Sequence, residues 1–128
     1  MKIEIRNTIL IDDQVEKIKE VQSCQLHEKG KHLYFVYQNA EDEKVVIKCN
    51  DRSLMINRFS NPHVTMTFEK GVTHAFNIPT PLGIQQLMTD TADYQFDLKK
   101  QKLTISYQLV QAESLAVFAD YQLEILWY

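Results

Sequence analysis

The sequence predicts an all-β domain, either a sandwich or a barrel, with about nine or ten strands. Two observations carry this prediction. Apolar and polar residues alternate along most of the chain, and this alternation indicates strands with one buried face, because successive side chains of a strand point to opposite sides. Turn signals separate the alternating runs at intervals of roughly 8–12 residues. With 128 residues, of which 45% are hydrophobic, the chain can bury one core, so we expect a single domain over residues 1–128.

The first strand is predicted at the N-terminus. The stretch "KIEIRNTIL" places Ile3, Ile5 and Ile9 on one face and charged or polar residues between them. Asp12 and Asp13 come soon afterwards and are typical of a hairpin turn. The chain should therefore reverse direction there and return beside the first strand.

The segment over residues 14–22 is ambiguous. In "QVEKIKEVQ", Val15, Ile18 and Val21 recur at a spacing of three, with strong helix formers between them. This spacing fits two turns of helix, and it also fits a half-exposed strand with a bulge. The preceding hairpin signal favours the strand.

The middle of the chain contains several short predicted strands. The stretch "HLYFVYQ" is β-branched or aromatic on both faces, as in a strand that is covered on both sides. Turn signals precede Val45 ("NAEDEK") and Leu54 ("CND"), and another follows Phe68 ("EKG"). Each of these turns marks the start or the end of a strand.

Two prolines interrupt the extended pattern in "FNIPTPLG". Proline lacks an N–H group and is excluded from central strands, so a strand over Val72–Ile78 should end near this point. The residues Thr80–Gly83 suit a type I turn, with Pro81 at its second position and glycine at its fourth. A new strand should begin at Ile84. A loop that gates a ligand is the alternative interpretation of this segment.

The last two strands carry the clearest alternation. In "KLTISYQL", Leu103, Ile105, Tyr107 and Leu109 share one face. The stretch "LAVFADYQLEILWY" places mostly polar residues on one face and apolar residues on the other, namely Leu115, Val117, Ala119, Tyr121, Leu123, Ile125 and Trp127. Both stretches are therefore predicted to be strands with one buried side.

Three short motifs stand out in the second half of the chain. They are "LMINRF", "VTMTFEKG" and "IPTPLG", and they contribute Arg58, Met66, Phe68, Gly71, Thr80, Pro81 and Gly83. With these motifs the chain resembles the small bacterial family often called YwiB-like, whose activity is not established. The order of elements is similar over nearly the whole chain. The sequence departs from the family pattern in having Ile78 for tyrosine, Leu82 for an aromatic residue and Ser60 for glycine. The resemblance implies a single antiparallel up-and-down calycin-like barrel of about eight to ten strands.

Composition and charge exclude several classes of function. The formal net charge of -3 gives no general attraction to nucleic acid or to an anionic membrane, so neither is expected as a partner. No apolar run is long enough to span a membrane, and "MKIEIRNTIL" does not resemble a signal peptide. We therefore expect a cytoplasmic protein in which Cys24 and Cys49 stay reduced, and a disulfide between them is the alternative.

The sequence contains no motif for a metal, a cofactor or covalent catalysis. Cys24 and His27 have the spacing of half a zinc site, but no second cluster matches them. The glycines that a phosphate-binding loop needs are absent, as is a Gly-x-Ser-x-Gly elbow. We predict neither a metal site nor a cofactor.

Three residues are candidates for binding a ligand. Arg58 shares strand parity with Leu54 and Ile56, and if that face is the interior, its guanidinium can bind a carboxylate. If Met55 and Phe59 point inward instead, Arg58 is solvated, and the sequence leaves both orientations open. His74 shares an apolar face with Phe76 and Ile78, where a hydrogen-bonded structural role is the alternative. Tyr107 lies on the apolar face of its strand.

The leading hypothesis is a non-enzymatic protein that binds a small, largely apolar and possibly anionic ligand inside the barrel. The alternative is a protein-interaction or structural module whose barrel is filled by side chains. An enzyme of unrecognised type is the third hypothesis. A cavity with convergent polar groups favours the first, an exposed apolar patch the second, and a buried titratable pair the third.

Overall fold

The computed structural model describes residues 1–128 and consists of strands and turns without any helix. There are ten strands: β1 (Lys2–Ile11), β2 (Gln14–Lys29), β3 (His32–Gln38), β4 (Lys44–Cys49), β5 (Ser53–Phe59), β6 (Val64–Glu69), β7 (Thr73–Thr80), β8 (Gly83–Asp97), β9 (Lys102–Gln111) and β10 (Val117–Trp127). The predicted all-β class and strand number are confirmed. No helix is long and apolar enough to span a membrane.

The strands form one antiparallel sheet that curls into a nearly closed barrel. Their order is β6-β5-β4-β3-β2-β1-β10-β9-β8-β7, so every neighbour is consecutive in the chain except the pair β1 and β10. The up-and-down topology is therefore confirmed. The sheet ends at β6 and β7, which share only an isolated bridge between Glu69 and Val72. Thr89 of β8 reaches across this seam, and its hydroxyl donates to the carbonyl oxygen of Thr67 at 2.6 Å.

The ambiguous segment over residues 14–22 is the first half of β2, so the strand prediction is confirmed. It pairs with β1 in a continuous register from Ile11↔Gln14 to Lys2↔Ser23. The expected bulge is absent from this pairing, and the bulges of the sheet lie in β8 and β10 instead. The spacing of three arises because Val15, Ile18 and Val21 are all largely exposed, so burial imposes no period on them.

The proline segment forms a hairpin, as expected. Thr80 pairs with Gly83, which leaves Pro81 and Leu82 as the turn between β7 and β8. The Thr80 hydroxyl donates to the Gly83 carbonyl oxygen at 2.6 Å. Gly83 has a φ of 115°, a conformation that side-chain-bearing residues rarely adopt. Pro79 lies inside β7, where it is tolerated because β7 is the last strand of the sheet.

The two ends of the barrel differ, and we call them the packed end and the cavity end. The packed end carries both termini and the turns at residues 30–31, 50–52, 70–72 and 98–101. Its interior is filled by large side chains, including Phe35 and Trp127, whose ring centroids are 5.1 Å apart. The cavity end carries the turns at residues 12–13, 39–43, 60–63, 81–82 and 112–116.

Candidate functional site

Arg58 points into the barrel. Along β5 the inward positions are Leu54, Ile56 and Arg58, and the opposite strand β4 contributes the buried Val45 directly across from Arg58. The sequence could not decide between the two faces of β5, because Met55 and Phe59 make the outer face apolar as well. The pairing with β4 decides it, since Val45, Ile47 and Cys49 all belong to the core.

A cavity of ≈ 290 Å³ lies inside the barrel at the cavity end. Eight strands, β1 to β6 together with β9 and β10, supply its wall, and most of the lining is apolar. The lining residues are Ile5, Asn7, Glu20, Tyr37, Asn39, Val45, Ile56, Arg58, Met66, Phe68, Tyr107 and Leu123. An apolar wall with a few convergent polar groups, at about 300 Å³, is typical of a site for a small molecule.

Arg58 has an unmet hydrogen-bonding capacity in this cavity. Its Nε atom is buried and has no hydrogen-bonding partner, although the side chain as a whole is 41% exposed. The nearest carboxylate oxygen is Glu43 Oε1, at 3.8 Å from Nε. This distance allows an ion pair but exceeds that of a hydrogen bond. The N–H group of Arg58 is therefore available to an acceptor that enters the cavity.

Asn7 contributes a second unpaired polar atom to the same cavity. Its Oδ1 atom is buried and accepts no hydrogen bond. The Asn7 side chain lies near the Tyr107 hydroxyl and partly offsets the rise in the pKa of Tyr107. The Oδ1 atom of Asn7, however, accepts no hydrogen bond from that hydroxyl. Buried polar atoms in folded proteins are usually paired, so two orphans facing one cavity indicate a place for a polar partner.

Aromatic rings form one wall of the cavity. Tyr107 is buried, and its ring packs edge-on against Phe68 at a centroid distance of 4.6 Å and stacks on Tyr121 at 4.8 Å. Burial raises the pKa of Tyr107, and the nearby Tyr121 adds to this rise. Burial also raises the pKa of Tyr37, with a further contribution from Glu20. Both tyrosines therefore stay protonated at neutral pH and can act as hydrogen-bond donors.

The structure brings two of the three candidate residues together. Arg58 and Tyr107 line the cavity, whereas His74 lies apart from it, at the seam between β6 and β7. His74 Nε2 lies 3.1 Å from Glu69 Oε1, and about a third of its side chain is exposed. This contact joins the two edge strands of the sheet. The ligand-binding role of all three residues remains a prediction.

Sequence reasoning missed the other polar residues of the cavity. Asn7 interrupts the inward series Ile3, Ile5 and Ile9, and a polar residue at such a position is a signal that could have been used. Glu20 gave no comparable signal, because it lies in the segment without a clear period. Its carboxylate accepts a hydrogen bond from the backbone N–H of Ala40 at 3.1 Å, which ties the turn at residues 39–43 to β2.

The remaining chemistry of the molecule offers no activated nucleophile. Cys24 and Cys49 are both free thiols. Burial raises the pKa of the Cys49 thiol to about 12 and also raises that of Cys24. A raised pKa disfavours the reactive thiolate. No group of three or more His, Cys, Asp or Glu residues is arranged to hold a metal ion.

The fold and the cavity together define a class of protein, the antiparallel barrels that enclose an apolar cavity at one end. Within it, residues 3–125 match the model of the family described as Domain of unknown function (DUF1934), and the chain belongs to this family. The resemblance to the YwiB-like family is thereby confirmed.

A solved structure supports the fold independently. The crystal structure of the ywiB protein from Bacillus subtilis is similar to this chain, with a TM-score of 0.79 and 19% sequence identity. The match covers 97% of this chain and 87% of that one. At this identity the likeness bears on the fold alone. No curated protein matches the chain.

Proposed function

We propose that the protein binds a small, largely apolar molecule with a carboxylate group in the cavity of the barrel. The observation that carries this proposal is the buried Nε of Arg58, which has no hydrogen-bonding partner and faces an apolar cavity of ≈ 290 Å³. A carboxylate oxygen at hydrogen-bonding distance would satisfy this donor better than Glu43 does at 3.8 Å. The apolar body of the ligand would lie against Ile56, Met66 and Leu123.

The second orphan atom narrows the chemistry of the ligand. Asn7 Oδ1 is an acceptor, so a ligand that also carries a hydroxyl or an N–H group would pair with it. Tyr107, which stays protonated, supplies a further donor from the same wall. A ligand of this class would leave fewer buried polar groups unpaired than the empty protein has.

The proposal is a binding function without catalysis. The pKa values of Tyr37 and Tyr107 in the cavity are raised further above neutrality. A general base needs a pKa near neutral pH, so neither tyrosine is suited to that role. Neither thiol is activated. The free thiols fit a reducing compartment, and we propose that the protein acts in the cytoplasm.

The test is a calorimetric titration with octanoate and, separately, with octanol. The variant Arg58→Met keeps the bulk of the side chain and removes its charge. We expect octanoate to bind the natural protein, and we expect the variant to lose about tenfold or more in affinity, because a charge-assisted hydrogen bond is removed. Octanol, which carries no charge, should bind both proteins equally and more weakly than octanoate binds the natural protein.

Arg52→Met is the matched control, since Arg52 is exposed in the turn at residues 50–52 of the packed end. Its affinity for octanoate should equal that of the natural protein. Urea unfolding of Arg58→Met should differ by no more than about 0.5 kcal/mol, because the Arg58–Glu43 pair is partly exposed. No binding of octanoate to the natural protein, or equal binding to Arg58→Met, would overturn the proposal.

A further inference from the structure

The first half of β2 has a free edge. From Gln14 to Ser23 this strand pairs with β1, but its pairing with β3 begins only at Cys24, opposite Tyr37. Beyond Gln38 the chain leaves β2 through residues 39–43 and enters β4, and the turn stays attached to β2 only through the Ala40 N–H, which donates to the Glu20 side chain at 3.1 Å. The side of β2 that faces away from β1 is therefore without a neighbouring strand over residues 15–21.

The hydrogen-bonding pattern identifies the backbone groups on this edge. The backbone N–H and C=O of Lys2 both form hydrogen bonds with Tyr128, so neither group is free to bond to Ser23, which lies opposite Lys2 in β2. At the next position, the N–H of Cys24 donates to the carbonyl oxygen of Met1. Pairs alternate along an antiparallel ladder, so the even-numbered residues of β2 bond to β1. The N–H and C=O groups of the odd-numbered residues point to the free edge, and these residues are Val15, Lys17, Lys19 and Val21.

Three of the seven side chains along this edge are apolar and exposed, and the other four are charged. Val15, Ile18 and Val21 are 61%, 49% and 40% exposed. All three are β-branched, and β-branched residues favour strand pairing. An exposed edge with free backbone groups and apolar side chains is a template for an additional strand.

Charge argues against a second copy of this chain as the additional strand. In an antiparallel pairing of two copies centred on Ile18, Lys17 of one copy lies opposite Lys19 of the other, and Glu16 lies opposite Glu20. A pairing centred on Lys17 or on Lys19 places that lysine opposite its own copy. Like charges directly opposite each other destabilise a sheet.

The outer face beside the edge is basic. Arg6, Lys17 and Lys19 surround a shallow groove of ≈ 350 Å³ that also includes Glu124. Glu124 already pairs with Lys102 at 3.0 Å, and Glu4 with Arg6 at 2.6 Å. Lys17 takes part in no ion pair. Lys19 Nζ lies 4.0 Å from Glu4 Oε2, so of these three basic residues only Lys17 has no acidic partner. A strand that docks here therefore meets the unpaired charge of Lys17 on its outer side, and Ile18 between Glu16 and Glu20 on its inner side.

We propose that residues 15–21 of β2 form a docking edge for an extended segment of another protein. That segment adds as an eleventh strand and alternates acidic residues, which face Lys17 and Lys19, with apolar residues, which lie beside Ile18. The proposal is independent of ligand binding in the cavity.

The test is an NMR titration of the full-length protein with a short blocked peptide that alternates valine and aspartate. We expect shifts of the backbone amide signals concentrated at residues 15–21. A control peptide that alternates valine and lysine should bind with an affinity lower by about tenfold or more, because it places lysine beside Lys17 and Lys19. The double substitution Lys17→Glu and Lys19→Glu should reverse this preference.

Lys17→Pro tests the backbone contribution. Its N–H points to the free edge, so proline removes no hydrogen bond to β1 while blocking strand addition. Lys17→Thr is the control, because it removes the charge and keeps the N–H. The aspartate peptide should bind Lys17→Thr and not Lys17→Pro.

An absence of binding to the natural protein at millimolar peptide would overturn the proposal. So would a dimer in sedimentation that Lys17→Pro abolishes, since the edge would then hold a second copy.

Discussion

The packed end and the cavity end of the barrel have the same backbone architecture but differ in the side chains that point inward. At the packed end the inward positions hold large rings, and Trp127 contacts both Phe35 and Phe96 at centroid distances of 5.1 and 6.3 Å. At the cavity end the rings of Tyr37 and Tyr107 form part of the wall, but the inward positions also hold Asn7, Glu20 and Val45, which fill less space or carry polar groups. The size of inward side chains therefore decides where a barrel of this width is solid and where it is hollow.

The surfaces of the two ends differ in charge and in the number of apolar side chains that are more than half exposed, of which the packed end has Met1, Leu98 and Tyr128. The turns of the packed end are rich in lysine and arginine, namely Lys31, Arg52, Lys70, Lys99 and Lys100. The turns and strand ends of the cavity end carry acidic residues, and they also carry apolar side chains that are more than half exposed, namely Leu82, Ile84, Leu115, Val117 and Phe118. Exposed apolar side chains in number are typical of surfaces that meet other molecules, whereas charged turns keep an end solvated.

The largest expected effect comes from truncating a ring at the packed end. Phe35 is fully buried, so Phe35→Ala should lower the free energy of unfolding by about 3–5 kcal/mol. Met66 lines the cavity and is only partly buried, so Met66→Ala should cost less than about 2 kcal/mol. Urea unfolding of both variants measures the difference. Equal losses would mean that the cavity end is packed as tightly as the other end.

An intermediate effect is expected from enlarging a side chain. Ile47 and Ile56 are opposite each other in β4 and β5, but only Ile56 lines the cavity. Ile47→Phe should destabilise the protein by about 1–3 kcal/mol, because its surroundings have no free space. Ile56→Phe should change stability by less than about 0.5 kcal/mol, because the new ring can enter the cavity. A large loss for Ile56→Phe in urea unfolding would show that the cavity has no room for the ring.

The smallest effect concerns the pH dependence at the packed end. The Tyr128 hydroxyl donates to Glu4 Oε1 at 2.9 Å, and Arg6 Nε donates to Oε2 at 2.6 Å. The hydrogen bond from Tyr128, with a further contribution from Arg6, lowers the pKa of Glu4 below 4.5, and the same hydrogen bond raises the pKa of Tyr128 above 10. Glu4 thus contributes stability above its ordinary pKa that is lost as the pH falls. Tyr128 contributes stability below its ordinary pKa that is lost as the pH rises.

Tyr128→Phe should therefore be less stable than the natural protein near neutral pH. The difference should shrink in acid, as Glu4 becomes protonated, and in strong alkali, as Tyr128 loses its proton. Urea unfolding at several pH values measures it. A difference that stays constant over the whole range would mean that this hydrogen bond is not what couples the two groups.

Most of the fold could be predicted from the sequence, because buried faces impose a period of two on β1, β9 and β10. The expectation that β3 is covered on both faces was wrong, since Leu33, Phe35 and Tyr37 are buried but Tyr34 and Val36 on the other face are only partly buried. The first half of β2 gave no clear period, since Val15, Ile18 and Val21 are exposed on both faces. The pairing of β1 with β10, which closes the barrel, joins residues at opposite ends of the chain and leaves no local pattern. The seam at β6 and β7 depends on Thr89, whose role is visible only when Thr67 and His74 are beside it.

The candidate site was only partly predictable. Tyr107 was placed correctly on an inward face, because β9 alternates clearly. The orientation of Arg58 could not be decided, because both faces of β5 are apolar, and the pairing with Val45 was needed to assign it. The convergence of Arg58 with Asn7 depends on the curvature of the whole sheet, which no short stretch of sequence encodes.

The measurement that tests the central claim most directly is native mass spectrometry after incubation with octanoate, on the natural protein and on Ile56→Phe. The claim is that the cavity at the cavity end of the barrel is the binding site, and the phenylalanine ring of Ile56→Phe fills this cavity. The natural protein should carry one additional octanoate mass, and Ile56→Phe should have the mass of the chain alone. Equal octanoate binding by both proteins, or none by either, would contradict the claim.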